Sequence, residues 1–403
     1  MKISALDGWV RRTEGLPSLS RAEVEALQLR RLNALLKRER ARGGFYANVP
    51  ESLPELAALA DLPLTTQEDL TARGGEMVLV SQAEIQRVHT FSTSGTTGPP
   101  KRLFYTREDC GTTVSFFAAG LSELVFPGGR TLICMPFSGP DGLGELIAAA
   151  ADSLGAEPLR AGVSLTYGEL GKLLEHHRPD TYVGMPAPLL ALLKLHGPGS
   201  LRRALVSGDA CVPAVMRAIE VRLGTRLFPH YGSRETALGG AVTCSAHEGM
   251  HLRENQIIAE IVDEKGRPLP RGEAGELVIT TVGMGAMPLI RYRTGDYTRI
   301  LPEPCPCGSC LSRLGPVTRR SPAAARMAAL DQALLPLDGL VDYLVREGAD
   351  GVALHALTLP GTDAGAIQTA ALRALPGERV RVSARLCTER DRSLYPGKRT
   401  MEK

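Results

Sequence analysis

The chain has 403 residues, which is long enough for two or three domains; 43% are hydrophobic and 23% are charged. These values are typical of a globular protein with a sizeable core and argue against wholesale disorder. Subtracting 44 acidic from 47 basic residues gives a net charge of +3, which provides no electrostatic reason to expect nucleic acid or an anionic membrane as a partner.

Apolar runs and cysteines indicate the environment in which we expect the chain to work. No run approaches the roughly 18 apolar residues of a membrane span. The first residues, MKISALDGWVRRTEG, lack the apolar core of a signal peptide. Eight cysteines in such a chain favour metal binding or burial over a disulfide framework. The sequence therefore predicts a cytoplasmic protein with neither membrane nor nucleic acid as a partner.

The first predicted element is a helix over residues 20–44, SRAEVEALQLRRLNALLKRERARGG. It begins at a capping serine with a glutamate three residues later, and it stops at Gly-Gly. From about residue 86, β-rich runs alternate with helical segments, which favours βαβ units and a largely parallel sheet. These runs are RVHTFSTSG, TLICMPFS, TYVGMP, RALVSGD and RLFPHYGS.

The later part of the chain has a different texture. QIIAEIVDEKGRPLPRGEAGELVITT indicates an antiparallel hairpin, because two alternating strands flank a Gly/Pro turn. After SPAAARMAALDQALLPL, we predict helix, strand, helix and strand over LDGLVDYLVREG, ADGVALHALTL, AIQTAALRAL and RVRVSARL. The sequence thus predicts an α/β fold with a large multi-sheet N-terminal domain, residues 1–318, and a small α+β C-terminal domain, residues 319–403.

A loop rich in hydroxyl groups and glycine lies within TFSTSGTTGPPKRLFYT, residues 90–106. Glycine permits backbone angles and close approaches that side chains would block, and the N–H groups of such a loop can surround an anion together with Ser and Thr hydroxyls. The spacing is not that of a Walker A loop, and composition alone is equally compatible with a solvated loop. The candidate phosphate-binding residues are Thr93, Ser94, Gly95, Thr96, Thr97, Gly98 and Lys101.

Further motifs follow this loop in an order that resembles a known superfamily. They are YGSRE at 231–235, RYRTGD at 291–296 and YPGKRTMEK at the end. Together with T-S-G-T-T-G-x-P-K they resemble the adenylate-forming enzymes, which include acyl-CoA synthetases, peptide-synthetase adenylation domains and luciferases. PLTTQEDL, PLIRYRTGD and CPCG look like the phenylacetate-CoA ligase branch. The resemblance implies that residues 1–318 are the adenylation domain and that residues 319–403 are a lid.

The resemblance also implies a reaction and the residues that carry it. A carboxylate attacks the α-phosphate of ATP to give acyl-AMP and pyrophosphate, and a thiol then takes the acyl group. Lys398 would bind phosphate oxygens in the adenylation transition state, and Glu235 would be the Mg²⁺ ligand. Tyr231 would stack on adenine, and Asp296 would accept both ribose hydroxyls. The other implied nucleotide-binding residues are Gly232, Ser233, Arg320 and, by a looser match, Ser207, Gly208 and Asp209.

One segment departs from the family pattern. Where the family has a G-R-x-D-D hinge, this chain reads RRSPA at residues 319–323, without the paired acids. In the family the C-terminal domain swings about this hinge between the two half-reactions. The altered residues leave open whether thioester formation here uses such a rotation.

Cysteine and histidine residues indicate a metal site. CPCG offers Cys305 and Cys307, and CSAHEGMH offers Cys244, His247 and His251; two ligands from each segment would suit a closed tetrahedral Zn²⁺ site. The phenylacetate-CoA ligase branch implies Cys244, His251, Cys305 and Cys307 as ligands. Cys310 and His247 remain rivals, as does a pair of reduced loops with no metal. A closed site of this kind would be structural.

The acid-binding pocket is the least specific part of the interpretation. GMPAPLLALL and ICMPFSGPDGLGE are apolar segments punctuated by Gly and Pro. By analogy with the branch, Met135, Phe137, Met185 and Pro186 are candidate pocket residues, although such residues are more often plain core.

We predict an ATP-dependent acid–CoA ligase that uses Mg²⁺, with structural zinc, and we hypothesise a homodimer. Two alternatives stay open. One is an acyl-AMP synthetase that loads a carrier protein or another protein thiol, which the altered hinge allows. The other is a non-catalytic homologue that binds nucleotide or zinc.

Overall fold

The computed structural model describes residues 4–91, 100–319, 321–349 and 351–402. Its α-helices are α1 Ala5–Glu14, α2 Arg21–Arg42, α3 Gln67–Arg73, α4 Arg107–Leu121, α5 Leu143–Ser153, α6 Tyr167–His177, α7 Pro186–His196, α8 Pro213–Leu223, α9 Pro322–Leu334 and α10 Ala364–Ala374. None of the helices in these ranges is both long enough and apolar enough to span a membrane.

The strands are short and belong to several sheets. They are β1 Ile85–Phe91, β2 Lys101–Thr106, β3 Arg130–Cys134, β4 Glu157–Arg160, β5 Thr181–Gly184, β6 Arg203–Val206, β7 Phe228–Tyr231, β8 Ala241–Val242, β9 Met250–Leu252, β10 Ile258–Val262, β11 Gly275–Thr280, β12 Tyr292–Thr298, β13 Arg313–Leu314, β14 Thr318–Arg319, β15 Leu340–Gly348, β16 Gly351–Thr358 and β17 Val380–Leu386. The predicted α/β class with several sheets is confirmed.

The chain forms two compact units, each built from two segments. Unit 1 comprises residues 1–123 and 230–317, and unit 2 comprises residues 124–229 and 318–403. Strand β7 contributes its first two residues to unit 2 and its last two to unit 1. The domain boundary after residue 318 stays a prediction.

Unit 1 is built from antiparallel strands. Strands β1 and β2 form a hairpin, β10, β11 and β12 follow one another in a second sheet, and β9 pairs with both β8 and β13. Helix α1 packs against α4, where the Trp9 and Phe116 rings meet edge to face with centroids 5.7 Å apart. The predicted hairpin over residues 256–281 is confirmed by β10 and β11.

Unit 2 contains a parallel sheet with strand order β6-β5-β3-β4, and Phe228 and Pro229 pair in parallel with β6. Strands β15, β16 and β17 form a second sheet. Buried residues from both segments of the unit form one apolar core, among them Leu189, Ile219, Leu330 and Leu354.

The long helix α2 follows from its sequence. Ser20 accepts a hydrogen bond from the Glu23 amide at 3.3 Å, and Gly43 ends the helix with φ +74°, a conformation that glycine adopts without a steric penalty. The helix predicted over residues 20–44 is confirmed.

Two expectations about strands were wrong. RVHTFSTSG does not join the parallel sheet, because its β1 pairs antiparallel with β2, which is formed by KRLFYT. LDGLVDYLVREG forms strand β15 rather than a helix. Its residues 340–343 are buried in succession, because this edge strand pairs with β16 and packs against helix α7. Its apolar spacing suits either structure.

Candidate nucleotide site and metal cluster

In the sequence, the predicted phosphate loop lies between strands β1 and β2, which form a hairpin in unit 1. Thr93, Ser94, Gly95, Thr96, Thr97 and Gly98 lie outside the described residues. Their flanks are described: Phe91 and Lys101 pair directly across the hairpin. The residues on the two sides of the predicted loop are therefore neighbours in space, and Lys101 is one of them.

Lys101 lies buried at this point. Its Nζ donates to Gln67 Oε1 at 2.9 Å and to the Tyr292 hydroxyl at 3.4 Å, and 3% of the residue is exposed. Burial lowers the pKa of the Lys101 ammonium group, while the nearby charge of Glu235 raises it. Lys101 thus provides positive charge beside the loop.

Glu235 is connected to Lys101 by the hydroxyl group of Tyr292. The Tyr292 hydroxyl, which accepts from Lys101, donates to Glu235 Oε1 at 3.2 Å. Glu235 lies in a short 3₁₀ turn, Arg234–Thr236, which Gly232 and Ser233 separate from β7. The turn is held at its start by the Ser233 amide, which donates to Thr236 Oγ1 at 3.0 Å. A cation, a phenol and a carboxylate therefore form a continuous chain of contacts.

Asp296 pairs with Tyr231. The Tyr231 hydroxyl donates to Asp296 Oδ2 at 2.9 Å, and burial, then the charge of Asp296, raises the pKa of Tyr231 well above its usual value. At Gly232, a Cβ atom would lie 2.1 Å from the Leu238 carbonyl oxygen, so backbone packing by itself explains the glycine. Within unit 1 the structure thus brings the predicted residues Lys101, Tyr231, Glu235 and Asp296 together.

Tyr292 and its neighbour Arg291 are site residues that the sequence reasoning missed. Both lie in the quoted motif RYRTGD, in which only Asp296 received a role. Arg291 has φ +48° and is 2% exposed. Its guanidinium group donates to both carboxylate oxygens of Glu260 and to the carbonyls of Ala60, Leu62 and Gly266. This fully bonded arginine holds the start of β12, from which Tyr292 projects.

In unit 2, several of the predicted adenine and acid pocket residues meet at Gly208. Its φ of +84° favours glycine, and a Cβ atom there would lie 3.3 Å from Met185 Cγ and 3.5 Å from Met135 Cε. The Ser207 amide donates to the Gly184 carbonyl at 3.0 Å. Asp209 follows directly, at the end of the same stretch.

Other predicted pocket residues lie elsewhere in unit 2. The ring of Phe137 packs on Gly144, where a Cβ atom would come within 2.8 Å of it, and Pro186 is buried at the start of α7. An apolar pocket has Met185 in its wall together with Tyr167 and Tyr182, but Met135, Phe137 and Pro186 do not line that pocket.

The tail that carries Lys398 lies against Asp209. The amide of Arg399 donates to Asp209 Oδ2 at 2.9 Å. Burial raises the pKa of Asp209, and the charges of Arg399 and Lys398 lower it in part. The sequence RRSPA, which stands where the family has its hinge, includes the end of β14 and the start of α9. Ser321 caps this helix by accepting a hydrogen bond from the Ala324 amide at 3.1 Å. Arg320 lies outside the described residues.

Cys244, His251, Cys305 and Cys307 converge in unit 1, with their donor atoms within 4.8 Å of one another. Cys244 Sγ lies 3.6 Å from Cys305 Sγ, and Cys307 Sγ lies 3.4 Å from His251 Nε2. Bonds of about 2.3 Å in a tetrahedral zinc site separate ligand atoms by about 3.7 Å, so this donor set fits Zn²⁺.

The orientation of His251 suits a metal ligand. Its Nδ1 lies 3.2 Å from the Leu311 carbonyl oxygen, so Nδ1 carries the proton and Nε2 faces the thiols. Burial lowers the pKa of His251 to about 4, which keeps the ring neutral. The rival ligands Cys310 and His247 do not belong to this cluster, which the described residues show with four members.

Comparison with known proteins adds the family. The family described as AMP-binding enzyme matches residues 86–287. The phenylacetate-coenzyme A ligase of Aromatoleum evansii is 31% identical over 76% of this chain and 73% of its own. That of Escherichia coli K12 is 32% identical over 70% and 68%. The chain belongs to the AMP-binding enzyme family.

Within the AMP-binding enzymes, these relatives place the chain in the phenylacetate-CoA ligase-like branch, so it is an AMP-forming acid–thiol ligase. A solved structure of 2-hydroxyisobutyryl-CoA ligase in the postadenylation state matches with a TM-score of 0.76 at 20% identity, over 96% of this chain and 90% of that one. At this identity the match shows the fold of this AMP-binding enzyme and nothing finer.

Proposed function

We propose that this AMP-binding enzyme joins a carboxylic acid to CoA at the expense of ATP, through an acyl-AMP intermediate. The observation that carries the proposal is the joined set Lys101–Tyr292–Glu235 with the pair Tyr231–Asp296. Lys101 of this set pairs with Phe91 across the β1–β2 hairpin, and the T-S-G-T-T-G sequence stands between these two residues in the chain. Branch relatives named as phenylacetate-coenzyme A ligases support CoA as the acceptor.

The side chains of unit 1 have separate tasks in this proposal. Adenylation brings a carboxylate to a triphosphate, so it needs positive charge and hydrogen-bond donors around the phosphates. Lys101 and the loop of residues 93–98 would supply them. Asp296 would accept the ribose hydroxyls, and Tyr231 would lie beside the base. Glu235 would hold Mg²⁺, which neutralises phosphate charge when bound and takes one or two protein carboxylates.

Unit 2 supplies the remaining proposed groups. Lys398 would bind the phosphate oxygens as negative charge moves during adenylation, and Arg320 would contact the nucleotide. Ser207, Gly208 and Asp209 would border the base. Met135 and Met185, which meet at Gly208, would contact the acid, with Phe137 and Pro186 shaping the surrounding wall. Their apolar character favours an acid with an apolar body.

Zinc is the proposed occupant of the four-residue cluster. Three thiols and one imidazole leave no ligand position open, so the ion would have a structural task. It would tie the 305–307 loop to β9. A cytoplasmic location, the absence of membrane and nucleic-acid partners, and a homodimer complete the proposal as further hypotheses.

A pyrophosphate-exchange assay tests the function. We expect a panel of aryl and aliphatic acids to include at least one that drives exchange of labelled pyrophosphate into ATP, and we expect CoA to convert that acid to a thioester. Exchange without CoA consumption would favour loading of a carrier protein or another protein thiol. The absence of exchange with every acid would favour a nucleotide- or zinc-binding protein and contradict the proposal.

A pair of variants connects the assay with the site. Asp296→Asn removes the proposed ribose contact and should raise KM for ATP by about tenfold or more, since a hydrogen bond to a charged group is worth roughly 1.5–3 kcal/mol. The control is Asp263→Asn, a half-buried turn aspartate of the same unit that pairs with Arg267, and it should leave KM unchanged. Equal effects of the two variants would contradict the assigned site.

A further inference from the structure

Arg399, the residue after Lys398, is buried in unit 2 and bonded on every side. Its side chain is 4% exposed, with Nε 2.9 Å from Asp331 Oδ1 and Nη1 2.7 Å from Asp342 Oδ1. Its Nη2 donates to the Tyr343 carbonyl at 3.1 Å.

Two tyrosines complete the surroundings of the guanidinium group. Its carbon lies 4.5 Å from the ring centroid of Tyr343 and 4.7 Å from that of Tyr395. The Tyr343 hydroxyl donates to Asp331 Oδ1 at 2.7 Å. We call Arg399, Asp331, Asp342, Tyr343 and Tyr395 the tail anchor.

The backbone is fixed on both sides of Lys398. Before it, the Leu394 amide donates to Asp342 Oδ2 at 2.9 Å. After it, the Glu402 amide donates to the Val345 carbonyl at 2.9 Å, and the Glu347 amide donates to the Glu402 carbonyl at 2.7 Å. Only a few residues separate these attachments, so the position of the Lys398 Cα atom is determined.

Stability alone gives a weak reason for such an arrangement. A buried arginine between two carboxylates is often no more stabilising than apolar residues of the same volume, because the desolvation of the charges offsets their attraction. What the anchor does provide is geometry, because a planar guanidinium fork bonded to two carboxylates allows one orientation. The backbone of Arg399 is also fixed, because its amide donates a hydrogen bond to Asp209 Oδ2 at 2.9 Å.

We propose that Arg399 is a positioning residue for Lys398: the tail anchor holds the terminal segment so that the lysine is presented in one place for adenylation. This inference rests on the proposed function, in which Lys398 acts on the phosphates. A lysine on a fixed backbone loses less freedom when the transition state forms than one on a frayed tail. Arg399 would therefore act on the rate of adenylation through Lys398.

A double-mutant cycle tests the inference by pyrophosphate exchange. Arg399→Ala should lower kcat by about tenfold or more and leave KM for ATP within about threefold, since the interaction lost belongs to the transition state. In a Lys398→Ala background, Arg399→Ala should cause no further loss, because residues that act as a unit are non-additive. Independent losses that multiply would overturn the inference.

A half-reaction separates positioning from general damage. Thioester formation from separately prepared acyl-AMP and CoA should be nearly unchanged in Arg399→Ala, whereas a merely structural defect would lower both half-reactions equally. If Arg399→Ala does not fold, Arg399→Lys keeps the cation without the fork and takes its place in the cycle. Full exchange activity in Lys398→Ala would contradict the proposed role of the lysine rather than that of the anchor.

Hydrogen exchange tests the anchor without any activity. Arg399→Ala should speed amide exchange at Leu394 and Glu402, while the amides of β3 and β5 remain protected. The control is Arg160→Ala, since Arg160 is an exposed arginine of the same unit that pairs with Glu145. Unchanged exchange at the tail in Arg399→Ala, or an equal change in the control, would overturn the inference.

Discussion

The hydroxyl group of Tyr292 lies between two groups of opposite charge, Lys101 and Glu235. Tyr292→Phe keeps the buried ring and removes this connection. We expect kcat for pyrophosphate exchange to fall by roughly tenfold, because a hydrogen bond to a charged group is worth about 1.5 kcal/mol or more, and we expect little change in the folded fraction. Steady-state exchange kinetics measure the effect.

The control for this prediction is Tyr46→Phe. Tyr46 is a buried tyrosine of the same unit whose hydroxyl bonds to Thr65 and to the Ile290 amide. This variant should lower the midpoint of thermal unfolding and keep exchange activity close to that of the unchanged chain. If Tyr292→Phe is as active as Tyr46→Phe, then Tyr292 does not serve the reaction.

Glu39 makes stability depend on pH. It is fully buried on α2, and neither carboxylate oxygen has a hydrogen-bond partner among the described residues. Burial raises its pKa from 4.5 to about 7, against the opposing charges of Arg38 and Arg42. An acid whose folded pKa is raised destabilises the fold once the unfolded chain has ionised. The free energy of unfolding should therefore fall as pH rises from about 4.5 to about 7.

Glu39→Gln tests this pH dependence. The substitution should remove the decline, worth roughly 3 kcal/mol at most, and raise the midpoint of thermal unfolding at pH 8. Glu25→Gln on the exposed face of the same helix is the control and should leave the profile as it is. Parallel profiles for the unchanged chain and Glu39→Gln between pH 4.5 and 7 would show that Glu39 is not responsible.

Among the secondary-structure elements, those that depend on local sequence signals were predicted correctly, and those that depend on tertiary packing were not. Helix α2 is readable because its caps, Ser20 and Gly43, are local features of the chain. Strand β15 could not be predicted from local sequence, because residues 340–343 are buried by residues that are distant in the sequence. The parallel pairing of β3, β5 and β6 agrees with the largely parallel sheet that the alternation of strands and helices predicts, whereas the pairing of β1 depends on its antiparallel partner β2.

The metal cluster connects a loop with a sheet, so its loss should be visible in that part of the fold. We expect metal analysis to find about one zinc ion per chain and Cys305→Ser to lose it with a lower midpoint of thermal unfolding. Chelation should also raise KM for ATP, since the 305–307 loop follows β12, which carries Asp296. Cys310→Ser, outside the cluster, is the control. Unchanged ATP-dependent activity after the metal is removed would contradict this coupling.

At the scale of the molecule, the two segments of unit 2 share one core. Helix α9 packs on α8 and strand β15 on α7. Lys194 donates to the carbonyls of Leu335, Leu337 and Leu340 at 2.6, 2.7 and 2.5 Å. A chain that ends at residue 317 should therefore unfold at a lower temperature and expose apolar surface to a fluorescent dye. An unchanged midpoint would instead support an independent lid at residues 319–403.

The site shows the same limit of sequence reasoning. Cys244, His251, Cys305 and Cys307 could be named because metal ligands follow recognisable spacings, and motif order could name Glu235 and Asp296. The contacts of Tyr292 and the burial of Arg399 could not be predicted, because they depend on partners at residues 101, 235, 331 and 342 that only the folded chain brings near.

The pairing of β9 with its neighbours has a consequence for folding. His251 stands opposite Arg313 of β13 and Val242 of β8, and a slip of one residue would turn its imidazole to the other face of the strands. The four donor atoms can meet only when this alignment is correct. Binding of the ion during refolding would therefore show that the strands have paired in the correct register. Chains with a wrong register would be recognised by cysteine thiols that still react with an alkylating reagent.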